Sequence, residues 1–256
     1  MKKNILILCA LALLTLGASL HAAAKQPNVI LILTDQWRFD AFGYAGNKDV
    51  KTPSIDRLEK ESINFTHALS GVPVCCPMRA SLLTGQRPLT HGVFMNDVSL
   101  NPNANSIAKV LNRAGYNTGY IGKWHIDGRG RSSFIPRERR QGFEYWKVLE
   151  CTHNYNNSFY YADGPEKLKW DGYDAIAQTR DAQQYIKAQA KNKSPSASSL
   201  VLALLTLLIT PPLKDIVRCM TRRSSGCDQT SLIIFAKSPA GISQAITPIA
   251  PLWMIA

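Results

Sequence analysis

Two apolar runs predict strands of a buried sheet. Residues 28–34 form a continuous apolar run between Pro27 and Asp35. Runs of this kind are typical of largely parallel sheets, which are covered on both faces. Residues 117–122 form the second predicted strand. Asp35 would then lie at the C-terminal end of its strand, where open α/β sheets place their ligands.

Three further segments have sequence features typical of helices. Residues 52–58 begin with Thr52, which could be an N-cap, and Pro53, which fits a first helical turn. Residues 105–114 have apolar positions at amphipathic spacing and end at a glycine. Residues 174–193 are rich in Ala, Gln and Lys and predict another helix.

The helix predicted to start at Cys75 and Cys76 places a nucleophile in a favourable position. Pro77 suits the first turn, because its missing N–H would be unpaired there, and Gly85 is a natural stop. The positive potential of a helix N-terminus suits an anionic substrate. Arg79 lies one turn after Cys75 and can reach back toward it. Taken alone, the two thiols could instead be buried as small apolar side chains.

The first 24 residues are predicted to be a signal peptide. Lys2 and Lys3 form a basic start, residues 5–20 are apolar, and the alanines at 22–24 form a small-residue cleavage site. We therefore expect an exported protein, located in a bacterial periplasm or secreted.

The formal charge of +12 indicates attraction to polyanions. Nucleic acid is disfavoured as a partner, because the sequence has no zinc finger, basic amphipathic helix or aromatic-basic stripe. The apolar residues 200–213 are too short and too closely bounded by proline for a stable membrane span.

The segment that begins at Cys75 resembles the sulfatase signature. The matching positions span about eighteen residues, too many for a chance match. They are Cys75, Pro77, Arg79, Leu82, Leu83, Thr84, Gly85, Pro88, His91 and Gly92. Met78 departs from the pattern, since the family usually has Ser, Ala or Thr there. Residues 35–36, 52–58 and 122–125 are also similar to family elements.

This resemblance implies a formylglycine-dependent sulfatase that acts on a sulfated glycan or an aryl sulfate. In the family, a formylglycine-generating enzyme oxidises the first signature cysteine, here Cys75, and the hydrate of the product attacks sulfur. Asp35 and Gln36 would supply oxygen ligands to a calcium ion, with the modified Cys75 also at the metal. Arg79 would help to hold the anionic oxygens. For an isolated Asp after a strand, a turn or a helix cap is the usual role.

The resemblance also implies catalytic roles for Lys123 and His125. Lys123 would bridge the nucleophile and a sulfate oxygen, and His125 would hydrogen-bond the formylglycine hydrate. A lone histidine after a strand is more often structural. Here the alternating pleat of the strand would point both side chains the same way.

The fold that the resemblance implies is α/β and alkaline-phosphatase-like, with a mixed, mostly parallel sheet between helices that is incomplete at the C-terminal side. Residues 25–195 are interpreted as the N-terminal part of the catalytic domain. Residues 196–256 have few acidic residues, and a shift of one nucleotide permits family-like elements in the right order. In that frame, for example, residues 254–255 must encode Asp-Asp. We hypothesise that this tail has left its ancestral reading frame.

Two alternatives stay open. One is a phosphate mono- or diesterase of the same superfamily, although such relatives commonly use Ser or Thr where this chain has Cys75. The other is a non-catalytic, polyanion-binding or catalytically defective remnant. The Asp-Asn or Asp-His pair that completes the calcium site in the family has no counterpart in residues 196–256, so we expect little activity from the chain as it stands.

Overall fold

A computed structural model describes residues 27–35, 37–191, 199–204 and 232–237. Its strands are β1 (Asn28–Leu33), β2 (Asn117–Lys123), β3 (Tyr145–Leu149), β4 (Phe159–Tyr160), β5 (Leu168–Lys169), β6 (Ser199–Leu204) and β7 (Leu232–Lys237). Five strands form one sheet in the order β3-β2-β6-β1-β7, and β4 and β5 form a separate pair. In the larger sheet β1, β2, β3 and β6 are parallel, and β7 is antiparallel to β1. This arrangement confirms the mixed, mostly parallel sheet.

The two strands predicted from apolar runs are β1 and β2. They are not neighbours, because β6 lies between them and pairs with both. Within the tail interpreted as out of frame, residues 199–204 and 232–237 form β6 and β7. The predicted signal peptide and the other tail residues lie outside the described part of the chain.

The helices are α1 (Pro53–Lys60), α2 (Cys75–Thr84), α3 (Pro88–His91), α4 (Ile107–Arg113) and α5 (Asp174–Lys191), with short 3-10 turns at Phe39–Ala41 and Arg137–Arg139. The predicted start and stop of α2 are confirmed. Cys75 follows the extended residue Val74, and Gly85 ends the helix at φ 67°, with its N–H donating to the Ser81 carbonyl at 2.8 Å. In the described residues no helix combines the length and apolar character needed to cross a membrane.

Thr52 is the N-cap residue of α1, as predicted, but its side chain makes no capping hydrogen bond. The Thr52 hydroxyl donates to Asp56 at 2.7 Å and accepts from the Gly43 N–H at 2.8 Å, so it is not free to cap α1. Helix α4 does have a side-chain cap, since Ser106 Oγ accepts from the Lys109 N–H at 3.2 Å.

Alternate residues of β1 face opposite sides of the sheet. Val29, Leu31 and Leu33 pack into one core together with Ala80 and Leu83 of α2. The two-residue period of a strand therefore places α2 on this face. Ala108 belongs to the same core, so α4 covers this face as well.

The opposite face of the sheet is covered by α5. Ile121 of β2 packs with Trp170 and with Ala182 and Tyr185 of α5. The approach is close at Gly119, where an added Cβ would lie 3.1 Å from the Tyr185 ring. The sheet therefore lies between helices, as predicted.

Candidate active site

Three polar side chains meet where β1 and β2 end and α2 begins. Asp35 follows β1, Lys123 ends β2, and Cys75 is the first residue of α2. Lys123 Nζ lies 2.6 Å from Asp35 Oδ2 and 3.5 Å from Cys75 Sγ. The structure therefore brings together three residues that are far apart in the sequence.

Arg79 is buried and contacts the same carboxylate. Its Nη2 donates to Asp35 Oδ2 at 3.3 Å, and its Nη1 donates to the Lys123 carbonyl at 2.8 Å. The Tyr120 hydroxyl donates to that carbonyl as well, at 2.6 Å. Two cations thus share one carboxylate, which leaves a surplus positive charge that suits an anion.

Burial acts to raise the pKa of Asp35, but the positive charges of Arg79 and Lys123 outweigh it and hold the pKa below its ordinary value of 3.8. Asp35 is therefore ionised at neutral pH. Its charge stabilises the two cations, and it keeps Lys123 Nζ beside the Cys75 thiol.

His125 lies two residues beyond the end of β2. Burial, with the nearby charges of Lys123 and Arg79, lowers its pKa to about 4, so the ring is neutral at neutral pH. Its Nε2 lies 3.3 Å from Asp97 Oδ1. The pleat argument does not apply, because His125 is outside the strand at φ 55°. Packing, not strand alternation, places its ring.

The adjacent thiols have different surroundings. Cys75 is partly exposed, whereas Cys76 is fully buried and accepts from the Asp97 N–H at 3.2 Å. Burial raises the pKa of Cys76 to about 12. The buried-thiol interpretation therefore describes Cys76, and Cys75 is the thiol that faces the cluster.

Two acidic residues near the cluster were missed in the sequence. Asp97 lies a few positions after the signature, which is the one signal that could have found it. Glu150 follows β3, a strand that had not been predicted. Glu150 is buried, and its Oε1 accepts from the Asp127 and Gly128 N–H groups at 2.8 and 3.0 Å. Burial raises its pKa to about 7.

The described residues do not make up a calcium site. They contain no group of three or more His, Cys, Asp or Glu placed to hold a metal ion. Asp35 offers carboxylate oxygens, but Oδ2 already accepts from two cations, while calcium takes about six to eight oxygen ligands. Gln36, the other predicted ligand, lies outside the described residues.

The surroundings of Cys75 do fit an oxidised, anion-binding side chain. The residue is partly exposed at the N-terminus of α2 and has a lysine ammonium within 3.5 Å. Both features favour negative charge at this position.

The model of the sulfatase family matches residues 27–203. An ulvan-active sulfatase of Formosa agariphila is 53% identical over 171 residues, which cover 66% of this chain and 34% of that protein. An N-acetylglucosamine-6-O-sulfatase of Bacteroides thetaiotaomicron is 30% identical over 200 residues, covering 75% of this chain and 34% of the relative. This chain therefore spans about a third of the length of these curated relatives.

Solved structures give the same result for the fold. A Bacteroides fragilis protein assigned as the sulfatase YidJ superposes with a TM-score of 0.69 at 30% identity, over 77% of this chain and 50% of that one. A structure solved in complex with its substrate D-glucosamine-2-N,6-O-disulfate superposes with a TM-score of 0.59 at 27% identity, over 70% of this chain and 34% of that one.

Proposed function

Because this chain belongs to the sulfatase family, we propose that its site is built to hydrolyse sulfate esters on a sulfated glycan. The observation that carries this proposal is the convergence of Lys123 Nζ on both Cys75 Sγ and Asp35 Oδ2. A nucleophile position beside a buried surplus of positive charge suits attack on an anionic ester.

Each residue of the cluster has a distinct proposed role. Cys75, oxidised to formylglycine, would supply the nucleophilic oxygen. Lys123 and Arg79 would bind the sulfate oxygens and stabilise charge that develops on them. His125, neutral at neutral pH, would accept a proton at the nucleophile position. Asp35 would hold the two cations in place.

A sulfated polysaccharide is the proposed substrate class. The relative with 53% identity is named for ulvan, and another is named for a sulfated N-acetylglucosamine. The charge of +12 on this chain favours approach to such polyanions. Ulvan fragments are therefore the first substrates to test.

The proposed reaction also involves a partner enzyme and a calcium ion, and the protein is proposed to be exported. A formylglycine-generating enzyme would convert Cys75. A calcium ion would take Asp35, Gln36 and the modified Cys75 as ligands, and its other ligands would have to come from beyond the described residues. The basic, apolar start of the chain supports export to a periplasm or beyond.

A catalytically defective remnant is the second candidate, and the donor set favours it. Asp35 is the one carboxylate in contact with Lys123 or Arg79 among the described residues, and those two cations neutralise it. A chain with this donor set alone would bind a sulfated glycan without turning it over.

Paired measurements distinguish the candidates. Release of sulfate from ulvan fragments and from an aryl sulfate is compared with release of phosphate from the matching aryl phosphate. The chain is produced together with a formylglycine-generating enzyme, and mass spectrometry reports whether Cys75 carries the aldehyde. Sulfate release that is lost in Cys75→Ala supports the proposal, while aldehyde without turnover supports the remnant. Preferential release of phosphate would overturn the choice of ester.

A further inference from the structure

We propose that Asp97 is a positioning residue that fixes the ring orientation and the tautomer of His125, with the proton on Nε2 and Nδ1 bare. This inference rests on the proposed function for its catalytic meaning. The tautomer itself can be measured without any turnover.

Both Asp97 and His125 have an unusual backbone conformation. Asp97 has φ 63° and His125 has φ 55°, and the other described residue besides glycine with positive φ is Gln141. Side chains other than glycine adopt this region rarely and at a cost in free energy. Two of the three such residues in the described part of the chain are thus in contact with each other, at 3.3 Å.

Asp97 is held by three hydrogen bonds with two residues. Its N–H donates to Cys76 Sγ at 3.2 Å, which ties it to the start of α2. Its carboxylate accepts from Arg131 Nε at 3.1 Å and from Arg131 Nη2 at 2.9 Å. Both side chains are about half exposed, and the forked arginine contact favours one orientation of the carboxylate. Asp97 Oδ1 is thereby aimed at the buried ring of His125.

The chemistry of the two groups decides the tautomer. A carboxylate paired with arginine has only acceptor atoms, so the nitrogen facing it must carry the proton. That nitrogen is Nε2 of His125. A neutral imidazole has one proton, and Nδ1 is therefore bare. Nδ1 is also buried and has no hydrogen-bond partner among the described residues.

This arrangement has a consequence for the proposed reaction. With Nε2 committed to Asp97, Nδ1 is the ring atom left to accept a proton. A carboxylate that holds the ring in one tautomer keeps Nδ1 bare in nearly all molecules. A ring that samples both tautomers would have Nδ1 bare in only part of them. Asp97 would act through His125 and would not touch the ester itself.

Nitrogen-15 NMR of histidine-labelled protein tests the inference at neutral pH. The signals of His125 are identified by their loss in His125→Gln. In the unaltered chain we expect a protonated Nε2 and a bare Nδ1. In Asp97→Asn, Arg131 can hold the amide oxygen and turn the amide N–H₂ toward His125. The ratio of Nε2–H to Nδ1–H should then fall by about tenfold or more, as expected when a hydrogen bond to a charged group is lost.

Asp97→Asn and a control, Asp163→Asn, test whether the Asp97 carboxylate sets the tautomer. Asparagine tolerates positive φ, so Asp97→Asn keeps the backbone conformation. Asp163→Asn removes another aspartate paired with an arginine, Arg140, and should leave the His125 ratio unchanged. An Nδ1–H tautomer in the unaltered chain, or an unchanged ratio in Asp97→Asn, would overturn the proposal. Absence of sulfate ester turnover would count against the proposed function and leave this measurement intact.

Discussion

Lys123 Nζ lies 2.6 Å from Asp35 Oδ2, although the strands that carry these residues are not neighbours in the sheet. The pair reaches across the end of β6, and both side chains are less than a tenth exposed. This buried ion pair joins the part of the site that follows β1 to the part at the end of β2. Removing either partner would remove charge that stabilises the other in its buried position.

Replacing Lys123 by methionine should therefore destabilise the protein. Among the described residues, the ionised Asp35 would keep Arg79 alone, at 3.3 Å, so we expect a loss of about 3 kcal/mol in the free energy of unfolding. Urea denaturation measures this loss. Arg38→Ala, which removes one partner of an exposed ion pair, should cost about 1 kcal/mol or less. Asp35→Asn combined with Lys123→Met should recover part of the loss, and a fully stable Lys123→Met would contradict the structure.

The two adjacent thiols should react at different rates. In folded protein made without a formylglycine-generating enzyme, iodoacetamide should alkylate Cys75 at least about tenfold faster than Cys76. Cys76 is fully buried, and burial raises its pKa to about 12, so it offers little thiolate. Peptide mass spectrometry over time gives both rates. The difference should vanish in denaturant, and equal rates in the folded protein would mean that Cys76 is accessible.

Glu150 should make stability fall as pH rises. Burial raises its pKa from 4.5 to about 7 in the folded protein. The stability that goes with this shift is fully present below pH 4.5 and is lost as the pH rises through about 7, because the folded protein must then bury a charge. Glu150→Gln, which keeps an oxygen for the Asp127 and Gly128 N–H groups, should gain stability relative to the unaltered chain by on the order of 2–3 kcal/mol between pH 4.5 and pH 8.

Unfolding measured at several pH values tests this expectation. Glu144→Gln serves as the control, because Glu144 is exposed and its change should stay within about 0.5 kcal/mol at every pH. A Glu150→Gln difference that does not grow with pH would show that the carboxyl group is solvated in the folded protein.

The contact between α5 and β2 should tolerate no added methyl group at Gly119. An alanine Cβ there would lie 3.1 Å from Tyr185 ring atoms, so the ring must move by a few tenths of an ångström, and we expect a loss of about 1–3 kcal/mol. Gly71→Ala is the matched control, since no atom of the described residues lies within 4 Å of its added Cβ and the change should be small. Thermal unfolding of both variants measures the difference. Equal effects would mean that α5 does not pack against β2 as described.

Local features of the site could be predicted from the sequence because their causes are local. Pro77 and Gly85 bound a helix whatever surrounds it, and they placed Cys75 at the N-terminus of α2. The apolar run before Asp35 identified β1 in the same way. Thr52 lies at the N-cap of α1, but its hydroxyl bonds to Asp56, one turn into the helix, and to the Gly43 N–H, a contact that the local sequence does not reveal.

By itself, then, the sequence determined the two strands, the helix that carries Cys75 and the family whose pattern they match. Only the tertiary structure decided that β6 lies between β1 and β2, that Asp35 is neutralised by Lys123, and that Asp97 faces His125. Propensity and periodicity act within a few residues along the chain. Ion pairing, burial and the pKa values that follow depend on which distant segments pack together, and that is settled only when the whole sheet is assembled.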